Sequence, residues 1–187
     1  MIRAKSRLES VNQRNLLEKK ALDDEDYIRP ILLIQAMQKG QSPSPEEVKT
    51  YLTETLKIPA VQIAIATGSQ KDLDGVDLFD QKTPIRYVIT IKALKEGWDC
   101  SFAYVLCSLQ HIHSAKDVEQ LLGRIMRMPY AKKRTVQDLN RAYADVVSTS
   151  TYVAANRDFA RIIFSGNSPR STPPRRGFSY ATASSSQ

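Results

Sequence analysis

Residues Gln120-Leu121-Leu122-Gly123-Arg124-Ile125-Met126-Arg127 set one glutamine and two arginines into an otherwise apolar run, in the pattern Q-x-x-G-R-x-x-R. On a helix, positions three and four apart are neighbours, so Arg124 and Arg127 share a face, with Gln120 a further turn back. A guanidinium stays charged at any working pH and presents a flat fork of donors. That suits the charge building on a transferring phosphoryl group. Two such groups on an apolar helix point to a phosphate-facing edge. The alternative is a structural helix whose arginines carry their charged heads to solvent on apolar stems.

A second motif lies upstream. Arg86 to Ile91 (R-Y-V-I-T-I) is a short, β-branched apolar run and reads as a buried strand. It leads into Lys92-Ala93-Leu94-Lys95-Glu96-Gly97-Trp98-Asp99-Cys100. A glycine followed two residues later by an aspartate, just past a strand end, allows a sharp turn and offers a carboxylate above the sheet. Ligands of open α/β sheets bind at that end. A further apolar strand, Ala103 to Leu109, comes next, followed by the arginine helix. Ser114 is suited to cap that helix, with Asp117 and Glu119 in its first turn, and Pro129 ends it.

Strand, G-W-D segment, strand and arginine helix in this order resemble motifs V and VI of superfamily 2 helicases. The stretches A-L-K-E-G-W-D-C-S-F-A-Y-V-L-C-S-L and D-V-E-Q-L-L-G-R-I-M-R-M-P-Y-A are most similar to the restriction (Res) subunit of type III restriction-modification enzymes. Upstream, Tyr27 to Ala36 (Y-I-R-P-I-L-L-I-Q-A) looks like that family's motif IV, and the resemblance spans roughly Tyr27 to Asp158. It implies the second of two RecA-like lobes, with ATP and Mg²⁺ in the cleft between them and DNA as the track. It also implies two protein partners, a first lobe carrying the phosphate loop and a modification (methyltransferase) subunit.

By the same resemblance Arg127 is the arginine finger and Arg124 its companion. Gln120 and Gly123 belong to the nucleotide side, and Gly97 and Asp99 couple the nucleotide to the nucleic acid. Gly97 lets the backbone approach a phosphate, and Asp99 can orient an arginine or a ribose hydroxyl. Thr67 and Gly68, past another strand end, and Lys92 and Lys95 are candidates for nucleic-acid contact. Trp98 could stack on a base, though an indole beside a strand end is commonly core.

The chain's own residues do not complete a nucleotide site. None of its seven glycines begins a G-x-x-x-x-G-K-[ST] phosphate loop, and no apolar strand ends in a D-E pair for Mg²⁺. The chain alone is therefore expected neither to hold ATP tightly nor to hydrolyse it. No protein metal site is expected: His111 and His113 read as loop residues before the arginine helix, without a third ligand. Glu47-Val48-Lys49, with Asp23 to Asp26 upstream, mimics the D…E-x-K of restriction nucleases. That chemistry needs the E-x-K on a strand, whereas P-E-E-V-K-T after a Ser-Pro loop reads as a helix start.

Composition agrees with one soluble lobe. A chain of 187 residues can bury one good core, and 42% hydrophobic and 25% charged residues are ordinary for a globular domain. No apolar run suits a membrane span or a signal peptide, and Cys100 and Cys107 read as reduced, buried thiols of a cytoplasmic protein. The net charge is +7, but Arg161, Arg170, Arg175 and Arg176 lie beyond Asp158 with no acid among them. The body is left with a mild basic bias that permits nucleic-acid contact without requiring it.

The predicted fold is α/β, a RecA-like parallel sheet flanked by helices, with an N-terminal connecting helix and a disordered C-terminal tail. Residues 1–26 form the connecting helix, with Leu8, Val11, Leu16 and Leu17 among charges, and an acidic linker. Residues 27–158 form the lobe, with strands at Ile31 to Met37, Val61 to Thr67, Arg86 to Ile91, Ala103 to Leu109 and Arg141 to Ser148. One helix starts near Glu46 and is closed by Ile58-Pro59. Residues 159–187 are rich in Ser, Pro, Thr and Arg and too poor in apolar residues to offset ordering entropy. The resemblance fades near Asn156 to Asp158, in the middle of an element, as expected of a truncated or split fragment. The alternative is a stand-alone RecA-like module that binds nucleic acid or protein without turnover; a broken gene's product is a third reading.

Overall fold

The computed structural model describes residues 1–22, 27–38, 40–68, 71–91, 101–112, 133–148 and 162–163. The order is helix α1 (Ile2–Leu22), strand β1 (Ile31–Gln35), helix α2 (Pro45–Thr50) and strands β2 (Ile63–Ile65), β3 (Tyr87–Thr90), β4 (Ala103–Ile112), β5 (Arg141–Ser148) and β6 (Ile162–Ile163). The strands lie side by side as β2-β3-β1-β4-β5-β6. Every pairing from β2 to β5 is parallel, and only the two-residue β6 joins antiparallel, against Arg141 and Ala142. The fold is thus the expected α/β, RecA-like arrangement. The pairing of β6 adds a short edge strand within residues 159–187, where the sequence suggested only a tail.

The three short parallel strands are buried at every position. Alternating burial would mark a sheet with one wet face, whereas continuous burial marks a parallel sheet covered on both. The core joins Leu32, Leu33 and Ile34 of β1 to Val88 and Ile89 of β3 and Val105 and Leu106 of β4. Its largest fully buried side chain, Phe102, enters just before β4. Phe79 packs on it with ring centres 4.7 Å apart, and Tyr27 meets it edge-on at 6.2 Å.

Helix α1 packs on β1, β4 and β5, so it is part of the same core. Its buried stripe is Ala4, Leu8, Val11, Asn15 and Glu18, which keeps helical spacing. Leu16 and Leu17, read from the sequence as part of the apolar set, are exposed. Two polar residues displace them because each satisfies a backbone group outside the helix. Asn15 Nδ2 donates to Ile28 O (2.9 Å), and Glu18 Oε1 accepts from Thr135 N (2.7 Å). A buried amide left unpaired would cost more than an exposed leucine.

Helix α2 begins where the Ser-Pro loop predicts. Ser44 and Glu47 form a capping box: Glu47 N donates to Ser44 Oγ (3.2 Å) and Ser44 N to Glu47 Oε2 (2.6 Å). The helix widens into a π turn over Tyr51–Thr55. It stops at Lys57, whose left-handed backbone (φ 55°) lets Ile58 N reach back to Leu52 O (3.0 Å). Two predicted elements shift. Ala60–Gln62 form a 3₁₀ turn, so Val61 is exposed and only Ile63–Ile65 enter the sheet. Strand β4 runs on to Ile112, so His111 is a strand residue paired with Val147 rather than a loop residue. His113, Cys100, Asp23 to Asp26 and the helix predicted from Ser114 to Pro129 lie outside the described residues.

Candidate functional site at the carboxyl edge of the sheet

From β1 the chain travels to β2, two places to one side. From the adjacent β4 it travels to β5, on the other side. The carboxyl ends of β1 and β4 are therefore the point where the sheet order reverses, which is where open α/β sheets receive ligands. Backbone pairing continues past the strands there, through Ala36 N to Thr90 O (2.7 Å) and Ala66 N to Ile89 O (2.8 Å). Thr67 and Gly68 beyond β2, Ile91 beyond β3 and Ala36 beyond β1 thus emerge along one edge.

A polar cluster occupies this edge. Ser108 Oγ donates to Gln35 Oε1 (2.8 Å), and Gln35 Nε2 donates to Gln110 Oε1 (3.2 Å). Gln110 Nε2 donates in turn to Ala36 O (2.6 Å) and Ile91 O (2.5 Å). Gln35, Thr90 and Ser108 are buried, although each ends an otherwise apolar strand segment. The sequence offered one signal for them. I-L-L-I-Q and V-L-C-S-L-Q both turn polar at their carboxyl ends, and Gln35 and Ser108 prove to be register partners. Only the pairing of β1 with β4 brings them together, so sequence reasoning passed over all three.

Among the candidates taken from the sequence, Thr67 is half-buried and Gly68 exposed at this edge. A Cβ built on Gly68 would meet nothing within 4 Å, so the space above it is open and glycine is not sterically required. Lys92, Lys95, Gly97 and Asp99, which follow Ile91 in the sequence, lie outside the described residues. So do Gln120, Gly123, Arg124 and Arg127, which follow Ile112. The described edge residues Gln35, Thr67, Thr90, Ser108 and Gln110 are all neutral. The described edge offers no glycine-rich cradle for a triphosphate.

Buried charges collect at the opposite, amino edge and are taken up internally. The Arg29 guanidinium donates to Leu78 O (2.6 Å), Asp80 O (3.1 Å) and Thr83 O. Asp138 pairs with both Arg14 and Arg141. Asn140 exchanges two hydrogen bonds of 2.7 Å with the backbone of Arg134. These groups hold loops and leave the carboxyl edge as the candidate.

The nuclease-like E-x-K is accounted for by capping. Glu47 lies in α2, not on a strand, and the Ser44 backbone N–H followed by the Ser42 hydroxyl holds its carboxyl below the usual value. Cys107 is a buried free thiol, pushed up by burial. Among the described residues no three His, Cys, Asp or Glu side chains converge as metal ligands, and no helix is long and apolar enough to cross a membrane. Comparisons with models of protein families, with curated proteins and with solved structures found no match.

Proposed function

We propose that this chain is the second RecA-like lobe of an ATP-dependent DNA translocase or helicase of the type III restriction kind. The observation that carries the reading is topological. The segments holding G-W-D and Q-x-x-G-R-x-x-R follow β3 and β4 in the sequence, and these strands flank β1 at the reversal of the sheet order. Ends of strands two places apart in a sheet are separated by about 10 Å, so one phosphate-bearing ligand can reach both.

In this reading the first lobe holds ATP and Mg²⁺ through its phosphate loop, and this chain completes the site when the lobes close. Arg127 stabilises charge on the transferring phosphoryl group, with Arg124 beside it and Gln120 and Gly123 on the nucleotide side. Gly97 and Asp99 link that site to DNA held along Thr67, Gly68, Lys92 and Lys95. The neutral described edge fits a contributing role, since this chain then supplies charge from the segments after the strands and no cradle of its own. The modification subunit is the further partner of the assembled enzyme.

The test is ATP turnover by the chain combined with a first lobe carrying a phosphate loop, with DNA present. Arg127→Ala is expected to lower hydrolysis by roughly 10³ to 10⁵, with an unchanged circular dichroism spectrum. Near-normal turnover would remove Arg127 from the role, and turnover by this chain alone would overturn the reading. DNA binding without turnover in any combination would favour the stand-alone binding module.

A further inference from the structure

We infer that Gln110 is a positioning residue: its side-chain amide fixes where the chain leaves β3, and so ties the start of the G-W-D segment to the end of β4. The geometry has three parts. First, β4 and β5 pair in register up to Ser108 with Val146, and resume at His111 with Val147. Leu109 and Gln110 are therefore extra residues on β4, out of step with β5. A bulge of this kind re-aims a side chain.

Second, the Gln110 amide reaches back across the end of β1. Its Nε2 donates to Ala36 O at 2.6 Å and to Ile91 O at 2.5 Å, carbonyls one and two strands away. Both carbonyls lie past the last residue of their strands. Third, the amide is itself held in orientation. Gln35 Nε2 donates to Gln110 Oε1 (3.2 Å), and Ser108 Oγ donates to Gln35 Oε1 (2.8 Å). One side chain thus bridges three consecutive strands, β4, β1 and β3, at the reversal point. A solvated surface glutamine has no need of an oriented partner shell.

Ile91 is the residue from which the chain enters 92–100, and Ile112, two residues after Gln110, is the one from which it enters 113–132. The bridge therefore links the points of departure of both motif segments. Its functional consequence, coupling of DNA contact to the nucleotide site, rests on the proposed motor reading. The positioning itself does not.

The variants are Gln110→Met, which keeps length and removes all bonds, and Gln110→Glu, which keeps shape and removes both donors. Gln35→Leu, which removes the orienting partner, is the milder third. Hydrogen exchange, resolved residue by residue by NMR, is read on the chain alone.

Loss of both donors is expected to raise exchange of the Ala36 amide, which donates to Thr90 O beside the bridge, about tenfold, while Leu32, Leu33 and Val105 to Cys107 keep their protection. The same amide should exchange at an intermediate rate in Gln35→Leu. Unchanged exchange at Ala36 in both Gln110 variants overturns the inference. So does an equal loss of protection throughout the sheet, which would make Gln110 a general stabiliser. Wild-type turnover with a first lobe reads the motor proposal separately, so the two can fail independently.

Discussion

Replacing Arg29 by methionine removes the guanidinium from the loop that follows β2 while keeping most of the apolar stem. Arg29 is buried, and its two terminal nitrogens donate to Leu78 O, Asp80 O and Thr83 O, with the Tyr27 ring beside them. Hydrogen bonds from a charged donor contribute roughly 1.5–3 kcal/mol each, but four bonds from one group, the fourth to Tyr27 Oη (3.2 Å), are not additive. Asp80 is exposed and Thr83 half-buried, so their carbonyls can turn to water, whereas Leu78 is buried and its carbonyl is left unpaired. The net loss is expected to be about 2–4 kcal/mol, a fall of about 5–15 °C in Tm for a domain of this size. Urea unfolding followed by circular dichroism measures the loss, and Arg29→Lys should recover part of it, because an ammonium lacks the fork. A local readout separates this from general weakening: trypsin should cut at Lys82 in the freed loop faster in the variant than in the wild-type chain. A loss under about 1 kcal/mol, with Lys82 still resistant, would show that the carbonyls find other partners and would refute the argument.

Three further outcomes follow from particular side chains. Burial raises the Asp145 carboxyl above its ordinary 3.8, against the opposing pull of the Met1 amino group, Arg3 and Arg7. The folded chain therefore holds this proton more tightly than the unfolded one, and stability falls as pH rises from 3.8 through the raised value, then levels. Asp145→Asn should raise the urea midpoint at pH 7 and lose its advantage in acid; an unchanged midpoint at pH 7 would mean the carboxylate is solvated. Ser44→Ala removes the acceptor for Glu47 N and should cost about 1 kcal/mol in urea unfolding, with no cost if water replaces the cap. Deleting Ser165 to Gln187 should leave Tm nearly unchanged, since that composition buries little; a large fall in differential scanning calorimetry would show that the segment packs.

Local patterns made most of the strands legible. Runs such as I-L-L-I-Q and Y-V-I-T are continuously apolar or β-branched over strand length, and the Ser-Pro-Glu-Glu sequence carries its own capping box; β1, β3, β5 and α2 fall close to where those signals put them. Errors arose where local and tertiary demands differ. Val61 is β-branched and next to a strand, yet Pro59 and a 3₁₀ turn keep it outside, because the ladder with β3 begins only at Ile63. His111 follows an apolar run and carries no helix-breaking or turn signal, so the strand simply continues through it.

The sequence by itself determined the α/β class and the alternation of elements, because these depend on neighbours within a few positions. Tertiary structure alone decided the rest. Nothing in the order of the chain says that β1 lies between β3 and β4, yet this arrangement creates the reversal point and makes Gln35 and Ser108 register partners. Nor does periodicity favour Asn15 and Glu18 over Leu16 and Leu17 on the buried stripe of α1. That choice depends on a carbonyl at Ile28 and an N–H at Thr135 that require partners. The same holds for Gln110, whose amide gains its partners only after three strands, far apart in sequence, end side by side. Apolar burial follows area and can be read from pattern, but polar burial follows pairing, and pairing exists only in the folded chain.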